Sequence, residues 1–340
     1  MSVIAPVLAA LGAEVGDLTA RLGRRVDVAG LRVTDRSGQL PLAAPGLRSP
    51  NGACRLVRAA DGWIAVNLAR EEDRELVPAW LGCDFGVEPW AAIEDLARRR
   101  DRRALLADAG LLGLPVAGVG EIVADGLETP QLVVTAGRAA RARKQLKVVD
   151  LSALWAGPLC GAILAGMGAS VTKVESVRRP DPTRTATPDF FRRLNGDKAE
   201  LRLDLTQADG QARLRAEIQS ADVLITGARP RALASLGLSR DAIFTANPGL
   251  VWVAITGYGW TGEAASRVGF GDDAAAAGGL VRWTAAGAPR FLGDALSDPV
   301  TGLAAAVGAL KGLLGNGGVL VDAALARCAA GAAAACGLAP

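Results

Sequence analysis

Beyond residue 146 the chain alternates short apolar runs with stretches of helical spacing. Val148, Val149 and Leu151 predict a short strand, Ala156-Gly157-Pro158 a turn, and Leu159 to Met167 a helix. That helix is small or apolar on every face, so it is expected to be buried. Residues 170–175 alternate and predict a second strand ending on Glu175. Strand, glycine-bearing turn, helix and strand make half of a nucleotide-binding α/β unit. The pattern then continues with strands at 201–205 and 221–226 around a helix at 207–220. Two short helices are expected around Leu233 and Ile243, then a near-continuously apolar strand at 250–259. A helix at 298–314, a strand at 319–325 and a small-residue helix close the series. A mostly parallel sheet with right-handed crossovers is expected.

The earlier half is less regular. Residues 1–45 are apolar-periodic with scattered arginines and carry no motif. LRSPNGACRLVRAADGWIAVN (47–67) predicts two strands around the turn Asp61-Gly62. Residues 88–125 read as helical, with LGLPVAG (112–118) as a turn. From Gly126 to Lys147, with Arg138, Arg141, Arg143 and Lys144, the chain reads as a linker; a solvated helix face is the alternative. The expected division is a small-domain-like region and linker over 1–145 and a sheet domain over 146–340.

Composition narrows the chemistry. The net charge of +3 gives no ground for a nucleic-acid partner. The five cysteines are odd in number and form no C-x-x-C, so a disulfide framework or zinc site is not expected and a reducing cytoplasm is. The first residues have no basic stretch before their apolar run, unlike a signal peptide, and no segment has the length and purity of a membrane span. Histidine is absent, which removes Ser-His-Asp and Cys-His dyads, imidazole acid/base chemistry and histidine metal sites.

Four features could carry chemistry. Glu175, at a strand end, could bind a ribose hydroxyl, but G-x-G-x-x-G is missing, because Gly157, Gly161, Gly166 and Gly168 are wrongly spaced. Asp298 precedes Pro299 and an apolar helix, and so reads as an N-cap, its carboxylate held ionised by the helix dipole. An ionised carboxylate is also what attack on a thioester requires. Arg178, Arg179, Arg184, Arg192, Arg193 and Lys198 follow the second strand, where phosphates would lie; a solvated loop is the alternative. Tyr258 sits at the carboxyl end of a strand, a ligand position in open α/β sheets, or equally a core position.

Several segments together resemble the family III CoA-transferases, which include formyl-CoA and carnitine CoA-transferases and α-methylacyl-CoA racemases. They are VVDLSALWAGPLCGAILAGMGASVTKVE (148–175), DPTR (181–184), NGDKAELRLDL (195–205) and ADVLITGARPRALASLGLS (221–239). NPGLVWVAITGYGWTG (247–262), DALSDPVTGLAAAVGAL (294–310) and VDAAL (321–325) complete the set. The resemblance implies a Rossmann-like, mostly parallel sheet with flanking helices, plus a smaller α+β domain. In that family the catalytic aspartate opens a D-x-x-x-G pattern, which Asp298-Pro-Val-Thr-Gly302 matches. Asp298 would attack an acyl-CoA thioester and pass through aspartyl anhydride and aspartyl-CoA intermediates to a carboxylate acceptor. The implied CoA contacts are Ala153, Leu154, Trp155, Ala156, Arg184, Arg229 and Tyr258. CoA and its thioesters would be substrates, with no permanent cofactor, and the partner would be a second copy in an interlocked homodimer.

The chain also departs from the family. TGARPR replaces the usual E-N-F-R-P-G, with Gly227 and Ala228 in place of Asn and Phe. Trp155 stands where formyl-CoA transferases carry glutamine, which argues against formate and oxalate as the pair. Gly269-Phe270-Gly271 replaces the racemases' G-H-D, so two-base proton exchange would need Asp272 or Asp273. The glycine-rich active-site loop of the formyl-CoA transferases has no match. SPNGACRLVRAADGWIAVN (49–67) and LGLPVAGVGE (112–121) resemble family segments that normally follow the catalytic aspartate, so the order reads as permuted, or as the tail of one copy fused to the head of another. A non-catalytic CoA-binding subunit is the reading outside enzymology.

Overall fold

A computed structural model describes residues 3–124, the backbone of 131–134, and residues 145–315 and 317–338. The strands are β1 (Cys54–Ala59), β2 (Gly62–Asn67), β3 (Val116–Gly118), β4 (Gln131–Val134), β5 (Lys147–Leu151) and β6 (Ser170–Ser176). They continue with β7 (Ala199–Leu203), β8 (Val223–Thr226), β9 (Val251–Thr256), β10 (Val281–Trp283), β11 (Pro289–Phe291) and β12 (Val319–Ala324).

The main sheet has seven strands in the order β4-β12-β9-β8-β5-β6-β7. All neighbours are parallel except the edge pair β12–β4. Both faces are covered, as a parallel sheet requires. Val148, Ile225, Val253 and Val321 face Leu159, Ile163, Leu303 and Leu310 of the Ala156–Gly166 and Ser297–Leu314 helices. Their neighbours Val149, Leu224, Trp252 and Leu320 face Leu214, Ile218 and Ile243 on the opposite side. The α/β alternation expected beyond residue 146 is therefore the observed architecture.

The smaller unit is an antiparallel sheet, β1-β2-β3, with helices over its own core of Ile64, Val66, Trp80, Ile93, Leu105 and Val116. Its hairpin turns at Ala60 and Asp61, and Gly62 pairs with Ala59. The Ala5–Arg21 helix does not belong to that core. Val15 and Leu18 pack into the main-sheet core, and Glu14 pairs with Lys311 at 2.9 Å.

Three local expectations are corrected. Residues 112–118 are not a turn: Gly113 (φ 69°) ends the Arg102–Leu112 helix, and β3 then pairs with β2. Three strand residues are too few to show a period, and their order comes from the partner strand. Ala156-Gly157-Pro158 is not a turn either but the first turn of its helix. Part of the expected linker, Gln131–Val134, is the edge strand β4; Arg138, Arg141, Arg143 and Lys144 lie outside the described residues. Among the described residues, no helix is long and apolar enough to cross a membrane.

Candidate active site

β5 lies between β6 and β8, so the strand order reverses there, and open α/β sheets place their ligand crevice at such a point, beyond the carboxyl ends of the strands. The loop from Ser152 to Trp155 lines it. Leu154 has φ 70°, a conformation side chains rarely adopt. Two buried ion pairs hold the loop in place. Lys173 Nζ donates to Ser152 O at 2.8 Å and to Asp181 at 3.1 Å, and Asp181 accepts from the Leu154 N–H at 3.2 Å. Lys198 Nζ donates to Asp150 at 2.8 Å, Asn195 Oδ1 at 2.9 Å and Pro158 O at 2.9 Å. The loop is thereby fixed to β5, β6 and the following helix.

Asp298 approaches the start of that helix from the other side. The Ser297–Leu314 helix begins one residue before it, and Leu296 precedes the helix without a side-chain cap. Asp298 is thus not an N-cap: its carboxyl lies close enough to the Ala156 N–H of the neighbouring helix to be stabilised weakly by it. Gly302 lies one turn further along the same face, where a Cβ would stand 2.8 Å from Ala156 O and 3.0 Å from Leu159 Cδ2. The D-x-x-x-G spacing therefore has a packing reason. Its glycine lets two helices touch, and its aspartate, four residues earlier, meets the neighbour's first turn.

The carboxyl is not held ionised below its ordinary range, as its place in a helix's first turn suggested. Burial pushes it up to about 7, against the opposing pull of Arg36; Asp272, Asp294 and the Ala156 N–H act more weakly. Desolvation outweighs the dipole and the nearby N–H here. The residue keeps partial access to solvent.

The groups around Asp298 come from four separate segments, of which only the one carrying Arg36 has no motif. Arg36 forks onto Asp294, with Nε–Oδ2 at 2.5 Å and Nη2–Oδ1 at 2.9 Å, and stands 5.0 Å from the Trp155 ring centroid. Asn51 Nδ2 donates to Asp272 at 2.6 Å and to Asp294 at 2.7 Å. Asp272 also accepts from the Ala295 N–H at 2.7 Å, and burial raises it to about 6. Of the two acids after Gly271, Asp272 shares the electrostatic surroundings of Asp298. Asp273 accepts from Asn67 at 2.9 Å and the Phe270 N–H at 3.0 Å, and burial holds it well above its ordinary range. Sequence reasoning missed Arg36, Asn51 and Asp294. For Asn51 the Asn-Gly pair at 51–52 was a signal; for Arg36, one of many scattered arginines, there was none.

The other expected site residues are placed as follows. Ala153 is exposed and Leu154 partly so. Trp155 is buried, its Nε1 donating to Val33 O at 2.8 Å and its ring edge-on to Phe190. Arg184 pairs with Glu175 and, at 3.1 Å, with Glu200. Glu175 also accepts from the Asp181 N–H at 2.8 Å, which makes it a brace rather than an open ribose acceptor. In the rest of the basic set, Arg178 pairs with Asp204, Arg192 with Asp189, and Lys198 is buried on Asp150. Arg229 is exposed and donates to Ser266 O at 3.1 Å. Tyr258 is buried under Arg267, 3.8 Å from its ring centroid, and its hydroxyl has no partner among the described residues.

Residues 144–335 match the sequence profile of CoA-transferase family III. The chain belongs to that family. It is 31% identical over 185 residues to a succinyl-CoA–D-citramalate CoA-transferase of Chloroflexus aurantiacus, covering 52% of this chain and 46% of the relative. It is also 31% identical over 178 residues to the human succinyl-CoA:glutarate CoA-transferase, covering 50% and 43%. The chain thus spans about half the length of these curated relatives, or less. A crystal structure of a CAIB/BAIF family protein from Brucella suis superposes with a TM-score of 0.53 at 30% identity, covering 58% of this chain and 56% of that one. The family III stretch contains Asp298, Asp294 and Asp272, whereas Arg36 and Asn51 lie outside it.

Proposed function

We propose that this family III chain moves CoA between an acyl-CoA thioester and a carboxylic acid, with Asp298 as the nucleophile. The observation that carries this reading is the position of the Asp298 carboxyl. It lies against the first turn of the Ala156–Gly166 helix, beside the switch-point crevice, with partial solvent access and a proton affinity tuned to about 7.

An Asp298 carboxylate oxygen attacks the thioester carbonyl, the C–S bond breaks, and CoA leaves as thiolate from a mixed anhydride. The thiolate attacks the aspartyl carbonyl, releasing the donor as a carboxylate and leaving an aspartyl-CoA thioester. The acceptor carboxylate then attacks that thioester, releases CoA thiolate and forms a second anhydride. Attack of the thiolate on the acceptor's acyl carbon gives the new acyl-CoA and frees Asp298. Charge develops on carbonyl oxygens in each step, and N–H groups at the helix start are suited to hold it. CoA would lie along Ala153, Leu154, Trp155 and Ala156 and reach Arg184, Arg229 and Tyr258. Contact with Tyr258 and Arg184 requires them to leave the partners described above. The resemblance further proposes a cytoplasmic, interlocked homodimer whose second copy completes the site.

The test uses succinyl-CoA with hydroxylamine and peptide mass spectrometry. An aspartyl hydroxamate at Asp298 is expected, and none in Asp298→Asn. Wild-type protein that yields no hydroxamate with a panel of acyl-CoA donors sinks the reading. The racemase-type alternative has one observation in its favour, the second raised carboxyl at Asp272. It predicts deuterium uptake at the substrate α-carbon, which transfer alone does not produce.

A further inference from the structure

Arg36 forks onto Asp294, Asn51 bridges Asp294 and Asp272, and the Asp298 carboxyl lies against Gly271, next to Asp272, so the charges of all three carboxyls act on the Arg36 guanidinium. They come from three places: the start of the Gly271–Ala277 helix, the loop before the Ser297–Leu314 helix, and that helix's first turn. Arg36 comes from a fourth, the segment preceding β1. Like charges gathered in one site disfavour one another, so the partners of each matter. Asp294 receives the full Arg36 fork and one Asn51 N–H. Asp272 receives the Asn51 amide and the Ala295 N–H. Asp298 has the field of Arg36 and, more weakly, that of the nearby Ala156 N–H.

The placement of Arg36 is itself constrained. Val33, three residues earlier, accepts the Trp155 Nε1–H, and the Arg36 guanidinium lies over the same indole. Trp155 immediately precedes Ala156, whose N–H lies near Asp298. The side chains of Arg36 and Asp294 are 16% and 9% exposed, so solvent screens the pair little.

We propose that Arg36 is a positioning residue for Asp298, neutralising Asp294 so that Asp298 is the carboxyl free to take up negative charge. This rests on the reading of Asp298 as nucleophile. It adds that a segment outside the family-matched stretch contributes a residue to the site from the same chain. Without Arg36, an unneutralised Asp294 faces Asp298 and holds a proton on it. Without the Asp294 charge, the whole field of Arg36 falls on Asp298.

The test follows the Asp298 carboxyl directly, by 13C NMR of full-length protein labelled at the aspartate carboxyls. The Asp298 signal is assigned by its loss in Asp298→Asn and titrated from pH 5 to 9. The wild-type midpoint is expected near 7. Arg36→Ala should raise it by about one unit, a tenfold gain in proton affinity, and Asp294→Asn should lower it by about as much. The double variant should return toward wild type. Midpoints that coincide across the series overturn the proposal. Should Arg36→Ala fail to fold, Arg36→Lys and Asp294→Asn decide it: lysine should hold the midpoint within a few tenths of wild type, and asparagine should lower it. Shifted midpoints in a protein that traps no hydroxamate uphold the hold of Arg36 on Asp298 and overturn only the transfer reading.

Discussion

Gly271 and Asp298 are packed so closely that a Cβ on Gly271 would overlap the Asp298 Oδ2 atom. The same Cβ would lie 2.7 Å from the Ala295 Cβ and 2.9 Å from Ala295 O, which are fixed to the backbone, so the Asp298 carboxyl is the neighbour that must yield. Gly271→Ala should therefore displace the Asp298 carboxyl. The expected result is an on the order of 10²-fold loss of hydroxamate formation and a destabilisation of about 1–3 kcal/mol in urea unfolding. Gly110→Ala, on a helix where nothing lies within 4 Å, is the control and should be neutral or stabilising. Equal effects of the two substitutions would refute the packing argument.

Gly302 tests the other side of the same carboxyl. An alanine there must push the Ser297–Leu314 helix off Ala156 and Leu159. A loss of about 1–3 kcal/mol is expected, with a kcat that falls while KM changes little, because the acid moves and the crevice does not. An unchanged kcat would show that helix contact does not position Asp298.

The proton on Asp298 sets a pH dependence. Attack needs the carboxylate, so kcat/KM should fall as pH drops through about 7. An acid limb that instead lies near pH 4 would mean that the buried acid does not limit the reaction.

The same shift links to stability. The folded-state value, about 7, is above the ordinary 3.8, so the native state binds the extra proton between those values. Its stabilising contribution is complete below about pH 4 and is lost as pH rises through about 7. Asn carries no such charge. The stability of Asp298→Asn relative to wild type should therefore rise from pH 5 to pH 8, by on the order of 2 kcal/mol once partial solvent access is discounted. Chemical unfolding at the two pH values measures it, and a difference independent of pH would contradict the burial described.

Lys198 makes a further prediction. Its ammonium and the Asp150 carboxylate are both fully buried, and it also anchors the Pro158 carbonyl. Lys198→Met leaves the Asp150 charge without its ammonium partner and should cost about 3–5 kcal/mol. The replacement of both residues, Asp150→Leu with Lys198→Met, should cost less than Lys198→Met alone. A double variant worse than the single one would show that the pair stabilises beyond mutual compensation.

Much of this molecule is legible in its sequence, and the reason is local. Val148, Val253 and Val321 lie in runs whose period declares a strand, and Leu303 and Leu310 recur at helical spacing. The motif around Asp298 is legible too, since Asp298 and Gly302 share one helix face. β3 and β4 were not legible, because short strands take their order from β2 and β12. The N-cap reading of Asp298 failed because the helix starts at Ser297, whose hydroxyl donates to Leu325 O at 2.7 Å, a partner far along the chain.

The sequence by itself determined the α/β alternation, the family and the candidate nucleophile, because periodicity and motif spacing are properties of neighbouring residues. Only the tertiary structure decided the company that nucleophile keeps. Arg36 and Asn51 meet Asp294 across more than two hundred residues, and no local pattern records that approach. The ionisation of Asp298 was decided there as well: burial and nearby charges act through space, and they outweigh the helix terminus that the local sequence displays.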